Sequence, residues 1–161
     1  QRKRKQQMRQ PKTKKTALVQ AVDLLARQEQ STNKLREKLR HRGYADEEIE
    51  GAIERLEEKH YLNDADACRR QFTFLYEESR QSVRQICAKL MQRGFDSTLV
   101  RECVPRDTYE REKCAALRCL ALKFKPSADV QKMMQHLYTR GFDGSAIRAA
   151  VEDFSQEAAE E

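Results

Sequence analysis

A short motif occurs three times in this chain of 161 residues and restricts its possible folds more than any other feature. Leu39, Leu90 and Leu137 are each followed by two residues, then Arg-Gly, then Tyr or Phe. Glycine adopts positive φ without steric cost, so the motif predicts a helix that stops at the Arg and turns at the Gly. The aromatic side chain is then expected to pack back onto the Leu, as in a Schellman motif.

The positions around each motif repeat as well, and they predict three helices per unit. Eight residues before the Leu stands a good N-cap residue: Ser31, Ser82 or Asp129. Apolar residues at helical spacing precede and follow this middle helix. The preceding set is Ala17, Ala21, Leu24, Cys68, Phe72, Leu75, Ala115, Cys119 and Leu122. The following set is Ile49, Ala52, Ile53, Val100, Cys103, Val104, Ile147, Ala150 and Val151.

Polar residues indicate where the other helices begin. Asp96 and Asp143 are placed to cap the third helix of units two and three, and Asp46 is the nearest equivalent in unit one. Asp107 and Glu110 have the spacing of a capping box ahead of the third unit.

The repeats predict an all-α protein built from three tandem three-helix units in an elongated array. The expected repeats are residues 16–62, 63–105 and 106–155, between a basic leader over 1–15 and an acidic tail over 156–161. A unit of this size buries little apolar surface by itself, so neighbouring units are expected to pack together.

The net charge of +6 comes from the leader. Residues 1–15 contain eight of the 32 Lys and Arg residues and none of the 26 Asp and Glu residues. Such a segment cannot bury enough apolar surface to fold alone, so we expect it to be disordered. It is either a solvated segment or an arm that binds phosphate or an acidic protein surface.

The middle helix of each unit carries a row of largely cationic positions. Four-residue spacing places the three members of each row on one stripe of the helix. The rows are Lys34–Lys38–Arg42, Gln85–Lys89–Arg93 and Lys132–His136–Arg140. Eight of these nine residues can be cationic.

Unit one adds Arg36 and Arg40 to its row, and its third helix, DEEIEGAIERLEE, is rich in acid. One interpretation is a solvated face whose cations form salt bridges with the next helix. The other is a cationic surface complementary to a long polyanionic or acidic partner. The candidate contact residues are Lys34, Arg36, Lys38, Arg40, Arg42, Lys89, Arg93, Lys132 and Arg140.

No arrangement of residues suggests catalysis, a metal site or a cofactor site. The sequence has no Gly-rich phosphate loop, no HExxH motif and no Cys-x-x-Cys pair, so we expect neither an enzyme nor a zinc protein. Three of the five Cys residues fall at positions where the other repeats have small apolar residues. We therefore expect reduced cysteines that pack in the core, as in proteins of a reducing compartment. No apolar run approaches the length of a membrane span.

Three stretches together resemble the RecX family of bacterial recombination regulators, over about residues 16–155. They are STNKLREKLRHRGYADEEIEGAIERLEEKHYLNDADACRRQF (31–72), SVRQICAKLMQRGFDSTLVRECV (82–104) and LYTRGFDGSAIRAAV (137–151). The resemblance implies a curved helical array, expected to be right-handed, that lies in the groove of the RecA–single-stranded DNA filament.

The resemblance also implies a function in DNA repair and recombination. The chain would inhibit ATP hydrolysis and strand exchange by RecA, as a cytoplasmic monomer without a cofactor. The alternative is a stand-alone helical-repeat protein that binds nucleic acid mainly through phosphate.

Overall fold

The computed structural model describes residues 14–160, which form nine α-helices and no strand. Unit one contains α1 (Ala17–Arg27), α2 (Thr32–His41) and α3 (Asp46–Glu58). Unit two contains α4 (Asp64–Glu78), α5 (Val83–Gln92) and α6 (Ser97–Cys103). Unit three contains α7 (Tyr109–Lys123), α8 (Val130–Thr139) and α9 (Gly144–Ala159). Each unit has its own hydrophobic core, so the predicted three-helix repeat is confirmed.

The middle helices α2, α5 and α8 begin at the predicted caps. The Ser31 hydroxyl accepts a hydrogen bond from the Lys34 amide at 3.1 Å, and Ser82 does the same for Gln85 at 3.1 Å. The Asp129 carboxylate accepts from the first-turn amides of α8. These side chains satisfy amide groups that have no partner within the helix.

The middle helices also end as predicted, with Gly43, Gly94 and Gly141 at φ of +87°, +93° and +85°. The next amide donates to the carbonyl of the motif Leu at 3.2–3.3 Å, which closes a Schellman motif in every unit. The aromatic residues are all buried against their own cores: Tyr44, Phe95 and Phe142.

The prediction that Leu122 lies in the core is wrong, because its side chain is 66% exposed. The connection from α1 to its next cap has three residues (28–30), whereas the one after α7 has five (124–128). The longer connection ends α7 earlier relative to the motif, so Leu120 occupies the buried place three residues before the helix end.

Two predicted helix starts also differ from the structure. Asp107 and Glu110 form no capping box, because Thr108 is the N-cap of α7 and the Asp107 carboxylate accepts from the Tyr109 amide instead. Ala45 precedes α3 without a side-chain cap, and Asp46 is the first helical residue. Asp96 and Asp143 do cap α6 and α9 as predicted.

Both predicted tails are partly ordered against the helices. Residues 1–13 of the basic leader lie outside the described residues. Lys15, however, forms an ion pair with Asp23 at 2.6 Å, and its carbonyl accepts a hydrogen bond from the Tyr44 hydroxyl. At the other end, α9 continues through residues 156–159 of the predicted tail.

Neighbouring units meet at two joints: joint one lies between units one and two, and joint two between units two and three. At joint one, the Ser31 hydroxyl donates to the Arg93 carbonyl at 2.6 Å. At joint two, the Ser82 hydroxyl donates to the Arg140 carbonyl at 2.6 Å. Each capping Ser therefore also binds the Arg-Gly turn of the following unit.

The glycines of the second and third turns lie directly against these Ser residues. A Cβ atom at Gly94 would be 2.6 Å from the Ser31 hydroxyl oxygen, and one at Gly141 would be 3.0 Å from that of Ser82. The repeated glycine thus allows both the turn and the close approach of the preceding unit.

Candidate partner-binding surface

The cationic rows lie on the outer side of the middle helices, opposite the residues that enter the cores. In α2, for example, Leu35 and Leu39 are fully buried while Lys38 is exposed. The helical spacing that buries every fourth residue therefore also leaves the row at the surface. Among the predicted contact residues, Lys34, Arg36 and Lys89 are half-buried and the others are exposed.

Part of the cationic surface of unit one is neutralised by acidic neighbours. Arg36 pairs with Glu50 at 2.5 Å, and this contact raises the pKa of Arg36 and lowers that of Glu50. Arg40 pairs with Asp46 of α3 at 3.0 Å. For these two arginines, salt bridging to the next helix is what the structure shows. Such exposed pairs contribute about 0–1 kcal/mol.

The remaining candidate residues have fewer contacts with acidic side chains. Lys34 forms an exposed pair with Glu37 at 3.1 Å within α2. Arg93 donates to the side-chain oxygen of Gln71 at 2.8 Å. Within residues 14–160, six Lys and Arg residues of the rows form no ion pair: Lys38, Arg42, Lys89, Arg93, Lys132 and Arg140.

Joint one brings four of the predicted residues together in a single cleft of about 470 Å³, here called the joint cleft. Lys34 and Lys38 line it from unit one, and Lys89 and Arg93 line it from unit two. Gln71 of α4 also lines the cleft and was not predicted, because nothing in the sequence separates it from other exposed helix residues. The stripe predicted along separate helices thus becomes one cationic surface across the joint.

The other candidates lie apart from the joint cleft. Arg40 and Arg42 line a second cleft of about 630 Å³ on unit one, which also includes Lys38. Lys132 lines a third on unit three, beside His136. Arg140 ends α8, where its guanidinium donates to the His136 ring nitrogen Nε2 at 2.9 Å.

His136 is a weaker cation than its place in the row indicates. Burial lowers its pKa, and the positive charges of Arg140 and Lys123 lower it further. The ring also packs edge-on against Phe124, with 5.5 Å between ring centroids. At neutral pH, the third row therefore carries two cations, Lys132 and Arg140.

The thiols of unit two do not resemble reactive cysteines. The Sγ atoms of Cys68 and Cys103 lie 3.9 Å apart in the core between α4 and α6. Burial raises the pKa of Cys68 to about 12, and burial also raises the pKa of Cys87. Nucleophilic cysteines instead occupy electropositive, partly exposed positions that lower the thiol pKa.

The comparisons with known proteins agree with this architecture. The family model described as "RecX, first three-helix domain" matches residues 17–56. The chain is 32% identical to the regulatory protein RecX of Neisseria meningitidis, over 87% of this chain and 92% of that protein. It is also 32% identical to RecX of Caldanaerobacter subterraneus, over 85% and 70%. The crystal structure of RecX from Lactobacillus salivarius is similar, with a TM-score of 0.75, 18% identity, and coverage of 87% and 95%.

Proposed function

Because this chain belongs to the RecX family of regulatory proteins, we propose that it is a negative regulator of the RecA recombinase. It binds the filament that RecA forms on single-stranded DNA, in the groove, and inhibits ATP hydrolysis and strand exchange. The joint cleft is the observation that supports this proposal, since Lys34, Lys38, Lys89 and Arg93 present cations from two units on one surface.

A row of fixed cations suits a partner with regularly spaced negative charge. Attraction between a positive and a negative surface steers the encounter and fixes the register of two long molecules. Lys38 and Lys89 carry most of this role, because within residues 14–160 their side chains form no ion pair, whereas Lys34 pairs with Glu37. Arg93 also lacks an ion pair, but its guanidinium donates to Gln71. Arg36 and Arg40 contribute less, because Glu50 and Asp46 already neutralise them.

A charge-reversed double variant tests this proposal. Lys38→Glu/Lys89→Glu should change the free energy of unfolding by less than about 1 kcal/mol, because neither lysine is buried and neither forms an ion pair within residues 14–160. Inhibition of RecA ATPase on single-stranded DNA should weaken at least tenfold, because two attractive contacts become repulsive. The measurement is an ATPase titration beside a thermal melt.

The matched control carries the same change in net charge away from the rows. Lys59 and Lys125 are exposed and lie outside the three middle helices, so Lys59→Glu/Lys125→Glu should retain most of the inhibition. An equal loss of inhibition in both double variants would show that the effect depends only on the net charge of the protein. Wild-type inhibition by a folded Lys38→Glu/Lys89→Glu variant would place the contact surface elsewhere.

The second candidate function is binding of nucleic acid without RecA. It is favoured by the eight cations of residues 1–15, which match the charge of phosphate. Deletion of residues 1–13 separates the two functions and leaves Lys15 in contact with Asp23. We expect the deletion to weaken binding to naked single-stranded DNA more than inhibition of RecA. Each lost phosphate contact should reduce the salt slope by about 0.7.

Inhibition at stoichiometries too low to coat the DNA would support the RecA function. If the deleted chain instead loses inhibition while remaining folded, the leader is the active element and the assignment to the middle helices fails.

A further inference from the structure

The Arg-Gly turn of unit one lacks the neighbour that the other two turns have. Arg93 and Arg140 each accept a hydrogen bond from the Ser of the preceding unit. Within residues 14–160, no hydroxyl donates to the Arg42 carbonyl. A Cβ atom at Gly43 would be 3.6 Å from the nearest atom, Lys14 Nζ, whereas the corresponding distance at Gly94 is 2.6 Å.

The clefts beside these turns show the same relationship. Lys89, Gln92 and Arg93 line the joint cleft from the end of the middle helix of unit two, and unit one supplies the opposite side. The residues at the same three repeat positions in unit one are Lys38, His41 and Arg42. They line the open cleft of about 630 Å³. Unit one thus presents one side of a joint cleft with the opposite side open.

We propose that the Arg42–Gly43 turn is a docking site for the N-terminal end of a helix in a partner protein. The partner helix is capped by Ser or Thr and carries acidic side chains in its first turns. Its cap hydroxyl donates to the Arg42 carbonyl, as Ser31 donates to Arg93. Its carboxylates face Lys38 and Arg42, which line the open cleft and form no ion pair within residues 14–160. Glu37 also lines this cleft but is paired with Lys34.

The charges in and around the site argue against two other occupants. A second copy of this chain would offer the start of α8, but Asp129 caps that helix with an acceptor and has no proton to donate to Arg42. The leader, residues 1–13, is rich in Lys and Arg and would be repelled by the same cleft.

Lys14 occupies only the edge of the site. Its Nζ donates to the Gly43 carbonyl at 3.4 Å, in the place where Asn33 Nδ2 donates to Gly94 at 3.1 Å. The Lys14 ammonium also lies over the Tyr44 ring, 4.5 Å from its centroid. The bond to Gly43 is long and exposed, so a partner can replace it.

The test is a peptide titration of the ¹⁵N-labelled full chain, and its result does not depend on the RecA assignment. The probe is a synthetic peptide of residues 29–41, the segment that fills the turn of unit two, made acidic by Lys34→Glu and Lys38→Glu. We expect amide shifts at Gly43 and Tyr44, and none at Gly94 or Gly141, whose places are filled. Adding Ser31→Ala to the peptide should weaken binding at least fivefold, whereas Ser31→Thr should preserve it.

A charge reversal in the protein provides the complementary arm. Arg42→Glu in the full chain should weaken the acidic peptide at least fivefold, because it places a negative charge beside the partner's carboxylates. A melting curve confirms that the variant is folded.

Three results would overturn the proposal. The first is equal binding of the acidic peptide with and without Ser31→Ala, or no shift at Gly43 at millimolar peptide. The second is binding of the acidic peptide that becomes at least fivefold tighter on deletion of residues 1–13, which would identify the leader as the occupant. The third is movement of these signals on simple dilution, which would identify a second copy of the chain.

Discussion

Joint one and joint two share two contacts and differ in the rest. Both have the Ser hydroxyl bound to an Arg carbonyl, and in both a carboxylate of the next unit accepts the first amide of the middle helix. That carboxylate is Asp64 at joint one, 2.9 Å from the Thr32 nitrogen, and Glu112 at joint two, 3.1 Å from the Val83 nitrogen.

Beyond these contacts, joint one is open and polar. It contains the joint cleft, and an exposed ion pair between Arg70 and Glu29 bridges its edge. Joint two is instead closed by Arg111, which packs over the Tyr76 ring at 4.8 Å and pairs with Glu112 at 2.7 Å.

The Arg111 guanidinium also donates to four backbone carbonyls around the turn from α4 to α5. The distances range from 2.6 to 3.3 Å, and the acceptors are Leu75, Tyr76, Ser79 and Gln81. The comparison shows a division between the joints: Arg111 connects units two and three through buried contacts at joint two, whereas joint one leaves an open cleft lined by cations.

The largest predicted difference concerns the two arginines. Arg111→Ala should lower the free energy of unfolding by about 3–5 kcal/mol, because it leaves the Glu112 carboxylate buried without its partner. Arg70→Ala, which breaks the exposed pair at joint one, should cost at most about 1 kcal/mol. Urea denaturation of both variants measures the difference, and similar losses would contradict the division between the joints.

A smaller difference is expected between two glycines. Gly43→Ala and Gly94→Ala both place a Cβ at positive φ, which costs about 1 kcal/mol. Gly94→Ala also forces that Cβ against the Ser31 hydroxyl, so its total cost should reach about 2–3 kcal/mol. Denaturation midpoints measure both.

The control for the glycine pair removes the obstructing side chain. Ser31→Gly removes a helix cap and the bond to Arg93, so it should cost stability in wild type and in Gly43→Ala. It should cost less in Gly94→Ala, because there it also relieves the clash with the new Cβ. If the two single variants are equally stable, the joint does not depend on the close approach at Gly94.

The smallest predicted effect is a pH dependence at joint two. Burial raises the pKa of Glu112, against the opposing effects of Arg111 and the Val83 amide. The folded state therefore holds the proton more tightly than the unfolded chain does. The contribution of Glu112 to stability is greatest below its unfolded pKa and is lost as the pH rises through its folded pKa.

Glu112→Gln should remove this dependence while keeping an oxygen that accepts from Val83 and Arg111. The stability of the variant relative to wild type should increase as the pH rises above 4.5, the ordinary value for Glu. Unfolding free energies at several pH values provide the measurement. Glu112→Ala, which lacks the acceptor, should instead be destabilised, and a Gln variant that loses as much would show that the charge itself is needed.

The features that the sequence predicted are those made by residues close together in the chain. A Ser cap binds an amide three residues away, and Gly94 closes its turn with residues of the same helix end. Their spacing is therefore visible in the sequence and repeats with it. Leu122 was misplaced because the longer connection after α7 interrupts that spacing.

The contacts of Arg111 at joint two could not be predicted in the same way. Arg111 binds backbone carbonyls about 30 to 36 residues away, and any residue type supplies a carbonyl. The one available signal was Glu112, a charged residue three positions before buried Ala115 and seven before buried Cys119. For the cationic rows, the sequence placed the charges correctly but could not show that Arg36 and Arg40 have partners on α3.

The Ser-to-carbonyl bonds also join the three middle helices end to end, with the amide end of one helix at the carbonyl end of the next; this arrangement is here called the series. The carbonyl end of α8 meets the amide end of α5, and the carbonyl end of α5 meets the amide end of α2. Aligned peptide dipoles give a helix about half a positive charge at its amide end and half a negative charge at its carbonyl end. At both joints, opposite partial charges therefore face each other and cancel.

Among residues 14–160, no helix meets the two ends of the series, and charged side chains lie there instead. Asp129 lies at the positive end of α8, and Arg42 lies at the negative end of α2 beside Lys14. A helix that approaches Arg42 with its amide end extends the series, whereas one that approaches with its carbonyl end meets a like partial charge. The polarity of the array thus selects the end by which a partner helix can dock.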